Sequence, residues 1–204
     1  MDTHTTKSEA TYATIIDAAM LMAAAEGIGK LSLGELGKRI GMSKSGVFSR
    51  VGSLESLQAA VLDEYDSRFA ADIFLPTLHL PRGLPRLMAQ VANWSKRACD
   101  EALSSACLYS AGAFEFDDQQ GALRERLKAG ALRWRASLRK TVLHAMEAGQ
   151  LRPDTEPEQL VFEIHGLVMG LVHDTRFLHD QSALRHTQRA FNRLISTYKS
   201  FNEA

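Results

Sequence analysis

The stretch GELGKRIGMSKSGVFSR, residues 34–50, restricts the possible fold more than any other part of the chain. Glycines at 34, 37, 41 and 46 interrupt a sequence otherwise full of Leu and Ala, so two helices are cut short and joined tightly. Ser32 with Glu35 three residues on is a capping box, which satisfies two orphan amides at a helix start. Leu33, Leu36 and Ile40 form one apolar face of that helix, and Gly41 supplies the backbone freedom that ends it. Ser43 caps the next helix, where Val47 turns inward and Met42 plugs the space between the two. A short helix packed across a second one through a tight turn is the helix-turn-helix layout, and the second helix enters the DNA major groove. On that helix Lys44 donates to guanine edges or phosphates, Ser45 reads either partner, and Gly46 lets the backbone come close.

Charge agrees with this locally and not globally. The 204 residues carry no formal net charge, so bulk basicity does not announce nucleic acid. Between residues 30 and 50, however, Lys30, Lys38, Arg39, Lys44 and Arg50 stand against Glu35 alone. Only the docking surface has to be positive.

The rest of the chain shows helical periodicity and no alternating strand pattern, which predicts an all-α fold. Helices are expected over about 8–26, 54–74, 87–103, 106–116, 120–148, 157–178 and 183–201, with Pro76, Pro81 and Pro85 punctuating a linker. The expected organisation is a helix-turn-helix domain over 1–52 and a larger helical domain over 53–204. Gly166 and Gly170, four residues apart, allow a second helix to approach closely. With Ile164, Leu167 and Leu171 on one helix and Phe191, Leu194, Ile195 and Tyr198 on the last, they predict a homodimer built as a two-fold four-helix bundle.

Several function classes find no support. There is no phosphate loop, no Gly-x-Ser-x-Gly elbow and no paired carboxylates with a credible base, so an all-α enzyme is the weaker alternative. His165, Met169 and His173 share a helix face, but two histidines eight residues apart lie about 12 Å from each other and cannot share an ion. No metal site and no cofactor is expected. Cys99 and Cys107 on one helix would be separated by the same rise, too far for a disulfide, and are read as buried free thiols. The polar start MDTHTTKSEATY lacks a signal-peptide core and no run reaches membrane-spanning length, so a cytoplasmic protein is expected.

Residues 8–65, with LSLGELGKRIGMSKSGVFSRVGSLESL at their centre, resemble the tetracycline-repressor family of bacterial transcription regulators. Phe48 stands where that family usually has Tyr, Arg50 near its usual His, Val51 at its Phe, and Leu54 where a Lys is common. The resemblance implies operator DNA as partner, with Ser32, Phe48, Ser49 and Arg50 supporting Lys44, Ser45 and Gly46. It also implies a small-molecule effector held in the second domain. Trp94, Tyr109, Phe114, Trp134, His165 and Met169 are the candidate lining, suited to an apolar or aromatic ligand. A DNA-binding protein without an effector is the alternative; its difficulty is the large second domain, which DNA coating alone does not need.

Overall fold

The computed structural model describes residues 3–100 and 108–200. Among these the chain is all-α: α1 (Thr3–Glu26), α2 (Leu33–Ile40), α3 (Lys44–Val51), α4 (Leu54–Phe69), α5 (Leu84–Ala98), α6 (Leu108–Glu115), α7 (Ala122–Glu147), α8 (Pro157–Arg176) and α9 (Ala183–Tyr198). The one extended pairing among them is an isolated antiparallel bridge between Leu151 and Lys199. Cys107 and Phe201 lie outside the described residues. Cys99 closes α5 as a free, half-buried thiol, so it is not the fully buried group expected.

The termini follow local chemistry. Ser32 Oγ accepts the Glu35 N–H at 3.1 Å, while the Glu35 carboxylate pairs with Lys38. Ser43 Oγ accepts the Gly46 N–H at 3.0 Å, and Ser53 Oγ accepts that of Ser56 at 3.0 Å. Gly41 ends α2 at φ +69°, the left-handed conformation glycine adopts without steric penalty. Past Phe69, α4 loosens into a single π turn over Ala70–Phe74 before the proline-marked linker.

The chain groups into two compact units. The first holds α1, α2, α3, α4 as far as Arg68, α6, and α7 as far as Gly130. Its core packs Ile15, Met22, Ile28, Leu36, Val47, Leu57, Leu62 and Tyr65, each almost entirely buried. The second runs from Phe69 through α5 and takes up again at Ala131 with the rest of α7, α8 and α9. There α8 packs on α9 and on α5, burying Leu87, Leu138, Leu160, Ile164, Val168, Leu171, Phe191 and Ile195. Each such side chain is worth about 1.5–3 kcal/mol, so apolar burial and not the scattered surface ion pairs holds either unit together.

Candidate functional site

The helix-turn-helix closes through a contact that only a glycine permits. A β-carbon on Gly37 would lie 2.6 Å from the Met42 carbonyl oxygen, and the Met42 N–H donates to Gly37 O at 2.8 Å. Val47 and Val51 then bury one side of α3, four residues apart, leaving Lys44, Ser45, Phe48 and Ser49 on the exposed side. Phe48 is 55% exposed, an apolar ring that packs into no core. Small polar bonds set the rotamers around it: Ser45 Oγ lies 3.0 Å from Ser43 Oγ, and Ser49 Oγ donates to Gly46 O at 2.8 Å. Ser32 is exposed at the start of α2.

Two of the predicted DNA residues also make contacts within the motif. A side chain on Gly46 would point at Ser43 Oγ and the end of Met42, so this glycine serves packing within the motif. Arg50 donates from Nη1 to Ser8 Oγ on α1 at 2.6 Å, tying α3 back to the first helix. Arg39 likewise pairs with Glu26 at the end of α1.

The predicted ligand lining is brought together only in part. In the second unit, Phe69 lies edge-on to Trp94 (centroids 5.7 Å) and 4.2 Å from Trp134, which stacks on Phe74 with an interplanar angle of 8°. His165 of α8 joins the cluster, 6.2 Å from Trp94, and its Nδ1 lies 3.4 Å from Arg135 Nη2. An arginine only donates, so Nδ1 is the acceptor. Burial lowers the His165 pKa below its ordinary value, and the charge of Arg135 adds to the effect, so the ring is neutral at pH 7. The indole N–H of Trp134 and the Gln90 carboxamide oxygen are buried without a hydrogen-bond partner among the described residues. Such groups cost free energy until something pairs with them. Met169 follows one turn after His165 and is half-buried.

Tyr109 and Phe114 do not belong to this cluster; both are in the first unit. The Tyr109 hydroxyl donates to Asp66 at 2.6 Å and its ring meets Tyr65 edge-on, a structural role. Phe114, on the short α6, is 79% exposed. Sequence reasoning missed Phe69 and Phe74, five residues apart and therefore about 140° apart on a regular α-helix. The π turn is what brings the two rings to 6.3 Å. A separate cleft of about 390 Å³ in the first unit, between α1 and α4, is bordered by Tyr12, Asp17, Asp63, Glu64 and Arg68 and by none of the predicted lining residues.

The predicted dimer residues divide as well. Ile164, Leu171, Phe191 and Ile195 are buried within the protomer's own core, because α5, α8 and α9 need those faces for each other. Leu167, Leu194 and Tyr198 are half-buried, and the Tyr198 hydroxyl donates to Glu163 at 2.9 Å. Gly166 and Gly170 are exposed, with nothing among the described residues within 4 Å of where a β-carbon would sit. They fall on a stripe with Phe162, 63% exposed, and Phe177, 74% exposed, neither of which was singled out from the sequence.

Among the described residues no group of side chains is arranged to hold a metal ion, and no helix is long and apolar enough to cross a membrane. Residues 83–191, just over half of the chain, match the tetracyclin repressor-like C-terminal domain. The HTH-type transcriptional regulator SrpR of Pseudomonas putida is 24% identical over 178 residues, covering 87% of this chain and 80% of SrpR. A TetR-family regulator from Cytophaga hutchinsonii superposes with a TM-score of 0.79 at 20% identity, covering 95% of this chain and 96% of that one. AibR, solved with isovaleryl coenzyme A and operator DNA, superposes with a TM-score of 0.67 at 16% identity, covering 92% and 97%. At these identities the structural likeness speaks for the fold.

Proposed function

The chain belongs to the tetracycline-repressor family of transcriptional regulators, which are not enzymes, and from that premise we propose that it is a cytoplasmic repressor. It binds a palindromic operator as a homodimer and releases it when a small apolar or aromatic effector binds. The observation that carries the reading is the exposed side of α3, where Lys44, Ser45, Phe48 and Ser49 stand clear of the core that Val47 and Val51 complete. Lys44 reads a base edge or a phosphate, and the Phe48 ring offers apolar contact to a thymine methyl or a sugar. Ser32, at the N-terminus of α2, faces a phosphate with the helix dipole behind it. Arg50 and Gly46 support the motif from within. Residues 1–52 form the head, and 53–204 hold the effector and the partner.

The effector site is the ring cluster of Phe69, Phe74, Trp94 and Trp134, with neutral His165 and Met169 beside it. Trp134 Nε1, buried without a partner among the described residues, favours a ligand that carries an acceptor on an otherwise apolar frame. AibR, of the same fold, is a neighbour whose solved complex contains both a small molecule and operator DNA. The effector acts only through differential affinity: it must bind the non-docking arrangement of the two probe helices better than the docking one. A coupling of about 1–3 kcal/mol changes operator affinity roughly 5- to 150-fold. Phe69 is the last residue of α4, the helix that follows directly on the head, which makes α4 the lever. The dimer forms along Phe162, Gly166, Gly170 and Phe177. The test is a gel shift on a duplex selected by the protein, titrated with small aromatic and aliphatic compounds. Release by one class at micromolar concentration supports the switch; a shift that no compound perturbs leaves a DNA-binding protein without an effector.

A further inference from the structure

Glu115, at the end of α6, and Gly29 are 86 positions apart in sequence, yet the Gly29 N–H donates to Glu115 Oε1 at 3.1 Å. Gly29 lies in the single 3-10 turn, Ile28–Lys30, that joins α1 to α2. A β-carbon on Gly29 would sit 2.6 Å from that same oxygen and 2.9 Å from the Phe116 ring, and one on Gly27 would sit 2.8 Å from the other carboxylate oxygen. The carboxylate therefore occupies a notch that two glycines leave open. Gly27 has φ +100°, a conformation that suits glycine and strains other residues. From the α4 side, buried Gln58 donates to the Ile28 carbonyl at 3.2 Å, and the Ile28 side chain is fully buried.

α6 is itself firmly seated. Tyr109 at its start donates to Asp66 of α4, and Gly112 in its middle lies so close to Leu127 of α7 that a β-carbon would approach it to 2.9 Å. The helix is thus a short strut, fixed to α4 and α7 along its length and to the α1–α2 turn at its tip. All of these groups belong to the first unit.

We propose that Glu115 is a positioning residue for the DNA-reading head. Through it α6 holds the α1–α2 turn, and that turn sets the seat of α2 and α3 on α1. The inference rests on the operator reading above and adds a route for its regulation: a displacement of α6 reaches α3 through a single hydrogen bond to the hinge. Direct DNA contact is not required of Glu115.

Charge and geometry predict opposite signs for its removal. A carboxylate near a phosphate-binding surface repels DNA, so by charge alone both Glu115→Ala and Glu115→Gln tighten binding. As a latch, Glu115→Ala weakens binding, while Glu115→Gln keeps an amide oxygen for the Gly29 N–H and stays near wild type. The experiment measures both variants by fluorescence anisotropy on a duplex selected by wild-type protein, with hydrogen exchange of the segment spanning Ile28–Lys30 read in parallel. Expected for Glu115→Ala are about tenfold weaker binding, equivalent to about 1.4 kcal/mol, and about tenfold faster exchange at Gly29, both restored in Glu115→Gln. Gly29→Ala, which drives a methyl into the carboxylate, should reproduce the weakening if Glu115→Ala proves too unstable to assay. Wild-type affinity in Glu115→Ala, or exchange at Gly29 that does not change, overturns the positioning role. A wild-type protein that selects no DNA overturns the operator reading and this role with it.

Discussion

Filling the stripe on α8 should break the dimer while leaving the protomer intact. Gly170→Leu adds a side chain at an exposed position where, among the described residues, nothing lies within 4 Å of its β-carbon, so the isolated protomer should absorb it without repacking. Replacing a helix-interior glycine even favours the helix, by about 0.8 kcal/mol. Phe162→Ala removes a ring that is 63% exposed and thus carries little of the protomer's stability. In the dimer the same ring counts fully. A phenylalanine presents roughly 200 Å² of burial, so covering the exposed share removes about 125 Å² from water and contributes about 3 kcal/mol per copy. A two-fold interface uses it twice, and ordering costs leave an expected loss of about 2–4 kcal/mol. That is roughly 30- to 1,000-fold weaker association. Sedimentation equilibrium across the micromolar range measures the association, and far-ultraviolet circular dichroism of the same samples checks the helices. Monomers of native helix content are the expected result for both variants. Wild-type association in either variant would place the interface elsewhere.

Three further outcomes are expected. Lys44→Ala should cost about 1–3 kcal/mol on the selected duplex if the ammonium reads a base, and should instead weaken all duplexes alike and reduce the salt slope by about one if it meets a phosphate; fluorescence anisotropy at several salt concentrations separates the two. Gly37→Ala pushes a β-carbon against the Met42 backbone, which should cost about 1–3 kcal/mol and lower the melting midpoint by about 2–4 °C per kcal/mol, read by calorimetry. His165 has a pKa lowered from 6.5, so the unfolded chain takes up its proton first: its contribution is intact above pH 6.5 and is lost as pH falls from there through the folded value. The melting midpoint of His165→Gln should fall less than wild type between pH 7 and 5, and identical pH profiles would contradict this.

The head was the most legible part of the chain because its determinants are local. Ser32, Gly41 and Ser43 act within four residues of themselves, and all three cap as their spacing predicts. Gly37 stands out by residue type, but its contact does not, because the partner is a carbonyl five residues on, across a turn whose shape the sequence does not state. Glu115 and Gly29 are linked over 86 residues and carry no local signal. The ring cluster was half legible: Trp94 and Trp134 stand out by residue type, whereas Phe69 and Phe74 meet only because α4 ends in a π turn. Periodicity identified α8 and α9 as apolar without saying which face each keeps for its own protomer. Ile164, Leu171, Phe191 and Ile195 proved to be core, and the face left over is marked by two glycines and two exposed phenylalanines.

If α3 reads a two-fold operator, wild-type protein will enrich particular duplexes from a random-sequence library. The enriched pool should carry a palindromic consensus with half-site centres about 10 bp apart, or a multiple of that, and should lose it when Lys44→Ala and Phe48→Ala are combined. Enrichment of no sequence, or a consensus that the double variant selects as well as wild type, would contradict this role of α3.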